Sequence, residues 1–213
     1  MLKPDVTRFL YMGTPSHQPD LEFLGEVFHL LKRKCRNRVE LDVIGITARK
    51  SDWYEVITVP HIAAHSYPRF VSWLRALDRG WAWGLAPLLD TAFNNSKTPI
   101  KVLEYSALGL PSICSKLSVY ASTVVSGSNG LLVENDVQAW CDTLERAAVE
   151  PAFQRQIHQE AMKIAAANTI GANADAIRRV WDTVLKASPT RSLVASVALS
   201  SCSPDEQHVP DRS

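Results

Sequence analysis

A short stretch in the middle of the chain combines two lysines with one carboxylate. Residues 97–111 read KTPIKVLEYSALGLP, which places Lys97, Lys101 and Glu104 at intervals of about one helical turn. A helix N-terminus attracts anions because its first N–H groups are unpaired and carry partial positive charge. Two ammonium groups would strengthen that attraction, and Glu104 could accept hydrogen bonds from sugar hydroxyls. The pattern indicates a site for a phosphorylated, hydroxyl-rich ligand, but a capped helix with solvated lysines fits the same spacing.

The stretch also predicts where its helix begins and ends. Thr98 is a favourable N-cap, and Pro99 suits the first helical position. Gly109 suits a left-handed ending. Helical spacing predicts a face that packs on the core, formed by Ile100, Leu103 and Ala107. Glu104 would then lie at the edge of that face, where it can point into a cleft.

Elsewhere, apolar strand-like runs alternate with amphipathic helical patterns. We predict strands at residues 8–13, 39–46, 56–62, 83–88, 112–115 and 130–133. We predict helices from Asp20 onward and at residues 67–77, 99–108, 137–149, 152–167 and 174–187. This alternation indicates an α/β fold, a Rossmann-like parallel sheet with helices on both faces. Such folds bind ligands beyond the carboxyl ends of their strands, where Gly13, Thr14 and the lysine stretch would lie.

Composition narrows the class of protein and its location. The net charge of +1 gives no reason to expect nucleic acid as a partner. Four scattered cysteines without a C-x-x-C pair argue against disulfides or a zinc site and favour a cytoplasmic protein. The apolar runs are shorter than the ~18 residues that a membrane span requires. We predict one domain at residues 1–187 and a disordered, Ser- and Pro-rich tail at residues 188–213.

Several single residues have two interpretations. His17, in a predicted polar loop, is an exposed histidine or a sugar-phosphate contact. Tyr67 contacts a nucleobase or packs in the core. Trp81 and Trp83 would share one face of a strand. A dehydrogenase is disfavoured because GTPSHQ after the first strand lacks the G-x-G-x-x-G fingerprint.

Four motifs in order give the chain a family resemblance. They are YMGTPSHQPDL at residues 11–21, GLAPL at 84–88, KVLEYSALGLP at 101–111 and NGLLVEND at 129–136. Together they resemble the C-terminal, nucleotide-sugar-binding domain of GT-B glycosyltransferases, specifically the retaining group 1 family, also called family 4. The resemblance covers roughly residues 8–185.

The resemblance implies a role for each matching position. Glu104 matches the second glutamate of the family's E-x7-E motif, which holds the donor's ribose. Gly13 and Thr14 match the glycine loop against the donor diphosphate. The donor-binding set implied is Gly13, Thr14, Lys97, Lys101, Glu104 and Tyr105. The reaction implied is sugar transfer from a nucleotide-diphosphate donor to a glycan or lipid-linked acceptor, with retained configuration and with neither metal nor cofactor.

The chain also departs from the family pattern. Ser96 stands where the first glutamate of the motif is expected, and Ser16 and His17 stand where Arg and Lys are usual. Because the first strand starts at residue 8, we expect the acceptor domain to come from another polypeptide, or the chain to be a fragment. Such a half would be inactive alone. The alternative function is that of a non-catalytic nucleotide-binding or partner-binding domain. The alternative location is the inner face of the membrane.

Overall fold

The computed structural model describes residues 6–36 and 38–187. Their strands are β1 Thr7–Met12, β2 Val39–Ile44, β3 Glu55–Val56, β4 Trp81–Ala86, β5 Ser112–Ser115 and β6 Gly130–Val133. Their α-helices are α1 Gln18–Lys34, α2 His61–Ala64, α3 Tyr67–Ala76, α4 Ala92–Asn95, α5 Ile100–Ala107, α6 Ser118–Ala121, α7 Val137–Val149, α8 Pro151–Ala167 and α9 Ile170–Ala187. The predicted tail, residues 188–213, lies outside the described residues.

The strands form a single parallel sheet in the order β3-β2-β1-β4-β5-β6. The chain therefore moves outward from β1 to β3 and then returns to the other side of β1 with β4. This reversal is a topological switch point, and in open parallel sheets the crevice for ligands lies there, beyond the carboxyl ends of the strands. The predicted α/β, Rossmann-like class is confirmed.

Helices cover both faces of the sheet. One core lies beneath α1 and α7, whose Phe28 and Trp140 are fully buried. The other lies beneath α3, α5 and α6, and Tyr105 is its largest fully buried side chain. Helix α8 contributes Ile157 to the first core and Ile164 to the second. The chain divides into two compact units, one ending at Thr169 and the other, which contains α9, beginning at Ile170.

Four predicted strands end earlier than their apolar pattern suggested. The strands predicted at residues 8–13 and 83–88 are Thr7–Met12 and Trp81–Ala86. Strand β2 ends at Ile44 because Gly45 turns the chain with a φ of +77°. The third strand, predicted over residues 56–62, contains only Glu55–Val56. Pro60 then precedes helix α2, which contains the last two residues of the predicted strand, His61 and Ile62. Strands β5 and β6 have the predicted bounds.

Trp81 and Trp83 lie in different cores, so the prediction that they share a face is wrong. The pairing of β1 with β4 shifts register between Arg8 and Phe9, which pair with Trp81 and Trp83. This irregularity breaks the two-residue alternation of the strand. The Trp81 indole N–H instead donates to Asp42, a fully buried carboxylate that also binds Arg79.

Candidate functional site

A cleft of about 360 Å³ opens at the carboxyl ends of β1 and β2, beside the switch point. Its volume falls within the range of about 300–1,000 Å³ that is usual for ligand pockets. The cleft brings together four of the six predicted site residues, namely Gly13, Thr14, Lys101 and Glu104. Its full lining is Met12, Gly13, Thr14, His17, Ile44, Gly45, Phe70, Ile100, Lys101 and Glu104.

Two glycines form the backbone floor of the cleft. The Gly13 N–H donates to the Ile44 carbonyl at 3.0 Å, which ties the end of β1 to the end of β2. A Cβ on Gly45 would overlap the Gly13 carbonyl oxygen, so the loops after β1 and β2 meet only because Gly45 has no side chain. Gly45 was not among the predicted site residues, although its place near the end of an apolar run was the available signal.

His17 is buried, at 7% exposure, so the prediction of a polar loop with an exposed histidine is wrong. Residues Pro15–His17 form a 3₁₀ turn, and α1 begins at Gln18. Asp20 therefore lies inside the first turn of α1 and is not its N-cap. Its carboxylate contacts His17 Nδ1 at 2.7 Å and accepts from the Leu89 N–H at 2.8 Å.

The Lys101 ammonium lies in the wall of the cleft, 2.7 Å from His17 Nε2. Burial, with the nearby charge of Lys97 as a second cause, lowers the pKa of Lys101 to about 8. The Lys97 Nζ is buried and, within the described part of the chain, has no hydrogen-bond partner. This ammonium lies over the ring of Phe93, 5.0 Å from the ring centroid. Lys97, one of the predicted donor-binding residues, does not line the cleft, and its effect on Lys101 is through its charge.

Helix α5 presents a different face to the core than its apolar spacing predicted. Ile100 and Ala107 are exposed and Leu103 is half-buried, whereas the buried set is Lys101, Val102, Tyr105 and Ser106. The Ser106 hydroxyl donates to Ala161 and accepts from the N–H of Ala165, so α8 satisfies its buried polar atom. A polar residue that finds partners on another helix cannot be recognised from apolar periodicity.

The N-terminus of α5 also differs from the prediction. Pro99, not Thr98, is the N-cap, and no side chain caps the helix. The Pro99 carbonyl accepts the first hydrogen bonds of α5, from the N–H groups of Val102 and Leu103. The residues just before Pro99 close the end of the short helix α4. Ser96 is the C-cap of α4, and its hydroxyl donates to the Ala92 carbonyl at 3.1 Å.

Glu104 lies on the cleft side of α5 and receives a hydrogen bond from across the cleft mouth. The hydroxyl of Tyr67, at the start of α3, donates to Glu104 Oε1 at 2.7 Å. Partial burial and the charge of Glu104 raise the pKa of Tyr67 to about 12. Tyr67 is 57% exposed, so it does not pack in the core, and its ring lies beside the cleft residue Phe70.

Tyr105 lies beneath the cleft and does not line it. It is fully buried, and its ring fills the space left by the missing side chain of Gly84. Its hydroxyl donates to the Leu85 carbonyl at 2.7 Å and accepts from the Met12 N–H at 3.2 Å. Tyr105 therefore fixes α5 on the sheet and holds the end of β1, and the structure gives it no direct access to a ligand.

The profile described as "Glycosyl transferases group 1" matches residues 6–149. The chain belongs to this family. The match covers the whole cleft lining, from Met12 to Glu104, and runs through the end of α7. No curated protein is significantly similar to the chain in sequence.

Solved structures share the fold of this group 1 chain. The pneumococcal O-GlcNAc transferase GtfA, in complex with UDP and GlcNAc, aligns with a TM-score of 0.62 at 13% identity, over 86% of this chain and 36% of that one. Sucrose-phosphate synthase from Thermosynechococcus elongatus aligns with a TM-score of 0.62 at 17% identity, over 88% and 47%. Anabaena Alr3699/HepE, with UDP and glucose, aligns with a TM-score of 0.58 at 10% identity, over 84% and 49%. The chain thus spans about half the length of these structures or less.

Residues 6–36 and 38–187 contain no cluster of three or more His, Cys, Asp or Glu side chains arranged to hold a metal ion. Within the same ranges, no helix has the length and apolar character needed to cross a membrane.

Proposed function

We propose that this chain is the donor-binding half of a glycosyltransferase, and that its cleft binds a nucleoside diphosphate sugar. The observation that carries the proposal is the pair of ammonium groups on Lys97 and Lys101. The first has a buried nitrogen without a hydrogen-bond partner among the described residues, and burial disfavours the charge of the second. A diphosphate bound beside them would relieve both costs, because charge-assisted hydrogen bonds to phosphate are strong.

The other cleft residues suit the remaining parts of such a donor. The glycine loop at Gly13 and Thr14 allows phosphate oxygens to approach the backbone closely. Glu104 can accept hydrogen bonds from ribose hydroxyls, since a carboxylate has about four lone-pair sites and Tyr67 occupies one. UDP is present in the structures of the pneumococcal and Anabaena proteins, which supports a nucleoside diphosphate as the carrier of the sugar.

The chemistry we propose is departure of the nucleoside diphosphate with retention at the anomeric carbon. Lys97 and Lys101 would stabilise the leaving diphosphate electrostatically, so this step would need no metal ion. The acceptor, a glycan or a lipid-linked sugar, would be bound by a second domain that lies outside this sequence or on another chain. Without it the donor is bound but not positioned for transfer. We propose the cytoplasm, or the inner face of the membrane, as the location.

One observation supports a second candidate, a nucleotide-binding domain that does not catalyse transfer. Ser96 stands where a carboxylate is expected, and its hydroxyl donates to the Ala92 carbonyl of its own turn. A donor-binding domain that lacks the charge of this carboxylate could still bind a diphosphate through Lys97 and Lys101, but would hold the sugar less firmly.

Calorimetry with UDP, GDP, dTDP and ADP tests the proposed site. We expect micromolar to millimolar binding of at least one of them, and loss of that binding in the Lys97→Met/Lys101→Met double variant. Lys163→Met is the matched control, because Lys163 pairs with Glu160 on the surface of α8. Absence of binding by all four nucleotides, or equal binding by the double variant, would exclude this cleft as the donor site.

Binding of the sugar conjugate separates the two candidates. If the preferred nucleoside diphosphate is supplied as its sugar conjugate, a donor-binding half should bind the conjugate more tightly than the diphosphate alone, and should release the sugar only when an acceptor domain is added. A domain that only binds nucleotides should bind both equally and leave the conjugate intact.

A further inference from the structure

Three buried polar side chains form a continuous chain that ends in the wall of the cleft. Asp20 Oδ2 lies 2.7 Å from His17 Nδ1, and His17 Nε2 lies 2.7 Å from Lys101 Nζ. The three residues are 2%, 7% and 8% exposed. They come from α1, the 3₁₀ turn before it and α5. This hydrogen-bonded series therefore links two parts of the protein that approach each other only when it is folded.

The second carboxylate oxygen of Asp20 determines the direction of these hydrogen bonds. Oδ1 accepts from the Leu89 backbone N–H at 2.8 Å, so an ionised Asp20 acts as acceptor at both oxygens. The proton between Asp20 and His17 must then lie on His17 Nδ1. In a neutral imidazole the other nitrogen carries a lone pair, and that nitrogen, Nε2, faces the Lys101 ammonium. The Asp20–His17 contact and the His17–Lys101 contact then each have one donor and one acceptor.

Lys101 needs such an acceptor more than most lysines do. Its side chain has four rotatable bonds, so an unanchored ammonium would lose much rotamer freedom when it binds a ligand. Burial and the neighbouring Lys97 both oppose its charge, while Glu104 and Asp20 favour it. The His17 lone pair supplies a fixed partner without adding a competing charge to the cleft.

We propose that His17 and Asp20 are positioning residues that hold the Lys101 ammonium at the cleft wall, where it binds the donor's diphosphate. This inference rests on the proposed donor site. It assigns a role to His17 at a position where the family pattern has a cation. Here the imidazole acts on the diphosphate through Lys101, and Asp20 acts one step further back by selecting the tautomer.

Asp20→Asn tests the tautomer directly. The amide oxygen can still accept from the Leu89 N–H, but the amide nitrogen donates to His17 Nδ1 and moves the imidazole proton to Nε2. Two donors, Nε2–H and the ammonium, would then face each other. We expect ¹⁵N NMR to find the Nδ1–H tautomer of His17 in the unaltered chain and the Nε2–H tautomer in the variant. An Nε2–H tautomer in the unaltered chain would overturn the proposal.

Binding of inorganic pyrophosphate gives the functional readout, because it reports on the diphosphate site without the nucleoside. We expect Asp20→Asn to raise its Kd at least tenfold, but to have no further effect in a Lys101→Met background. Asp136→Asn, the same substitution at the exposed cap of α7, is the matched control and should leave the Kd unchanged. Equal losses from Asp20→Asn in both backgrounds would show that Asp20 does not act through Lys101 and would overturn the proposal.

A second pair of variants covers the case in which Asp20→Asn does not fold. His17→Gln keeps an acceptor near the position of Nε2, whereas His17→Leu removes it. The glutamine variant should bind pyrophosphate at least fivefold more tightly than the leucine variant, and equal Kd values would contradict the inference. If the unaltered chain binds pyrophosphate but none of the four nucleotides, the nucleotide function fails while the His17–Lys101 coupling is still measured.

Discussion

The Tyr67 hydroxyl donates to Oε1 of Glu104 at 2.7 Å, across a sequence separation of 37 residues. This hydrogen bond joins the start of α3 to the middle of α5 and orients Glu104, the one carboxylate among the described residues that line the cleft. Its geometry makes Glu104 the residue on which recognition of a ribose should depend.

Glu104→Ala should therefore remove discrimination between ribose and deoxyribose. A hydrogen bond to a charged group contributes about 1.5–3 kcal/mol, so we expect nucleoside diphosphate binding to weaken roughly 10- to 100-fold. Calorimetry with a ribonucleotide and its 2′-deoxy form measures the effect. The unaltered chain should prefer the ribonucleotide and the variant should not. A preference that survives the substitution would place the ribose elsewhere.

Tyr67→Phe should have a smaller effect of the same kind. Without the hydroxyl, Glu104 keeps its charge but loses the donor that orients it, so we expect a loss of about 1 kcal/mol, or roughly fivefold in Kd. Tyr54→Phe is the matched control, because the Tyr54 hydroxyl bonds the Arg49 carbonyl away from the cleft lining. If both variants weaken binding equally, the Tyr67 contact has no special role.

Lys97→Met should stabilise the ligand-free domain and weaken nucleotide binding. The substitution removes a buried ammonium that lacks a hydrogen-bond partner in the described residues, a kind of group that costs about 1–3 kcal/mol. We expect a higher midpoint of urea unfolding and at least a tenfold higher Kd. Lys116→Met, which breaks an exposed pair with Glu134, should change neither quantity appreciably. A less stable Lys97→Met variant would mean that the ammonium has an unseen partner.

Nucleotide affinity should fall as the pH rises above about 8. Burial and the charge of Lys97 lower the pKa of Lys101 to about 8, and the ligand-binding form is the ammonium. A bound diphosphate raises that pKa, so binding at pH 8 should take up protons. Calorimetry in two buffers of different ionisation enthalpy measures the uptake. Lys101→Arg remains charged and should lose both the uptake and the pH dependence. Uptake that persists in this variant would assign the proton to another group.

The same lowered pKa has the opposite effect on stability. The pKa of an unfolded lysine is about 10.4, so the folded state binds its proton less well than the unfolded state. The cost is complete below pH 8 and disappears as the pH rises toward 10.4. Lys101→Met should thus stabilise the ligand-free domain by up to about 3 kcal/mol at pH 7 and by much less at pH 10. Urea unfolding at both pH values measures this difference, and a constant difference would refute the assigned pKa.

Gly84→Ala should destabilise the domain strongly. A Cβ at this position would overlap the ring of Tyr105, which is fully buried and cannot move aside. Overpacking of a core typically costs about 1–3 kcal/mol, and we expect the upper part of that range. Gly171→Ala is the matched control, because a Cβ there would meet no atom within 4 Å. Comparable unfolding midpoints for the two variants would show that the sheet and α5 can separate at little cost.

Much of the architecture followed from local pattern. The strands at residues 112–115 and 130–133 and the helix Val137–Val149 have the predicted bounds, because each is bounded by glycine, proline or a capping aspartate. The left-handed ending at Gly109, with a φ of +78°, was also predicted correctly. The order of motifs identified the family, and the rule that ligands bind at the carboxyl ends of parallel strands correctly grouped Gly13 with Glu104.

Two of the errors, at α5 and at His17, have a common physical origin. Apolar spacing predicted the wrong face of α5, because Lys101 and Ser106 are buried and satisfied by partners on other elements. For the same reason the sequence did not predict the burial of His17, which depends on hydrogen bonds with Asp20 and Lys101. In each case a polar side chain is buried because a distant residue completes its hydrogen bonds, and sequence distance gives no sign of that partner.

The sequence by itself determined the parallel α/β fold, the family and the grouping of a glycine loop with Lys101 and Glu104 at one sheet edge. These features depend on residue type and local spacing, which the chain carries without folding. Only the tertiary structure decided which groups face the cleft, which nitrogen of His17 meets Lys101, and that Tyr105 supports the site from beneath. Those features depend on the rotation of α5 against β4 and α8, which is set by side chains far apart in the sequence.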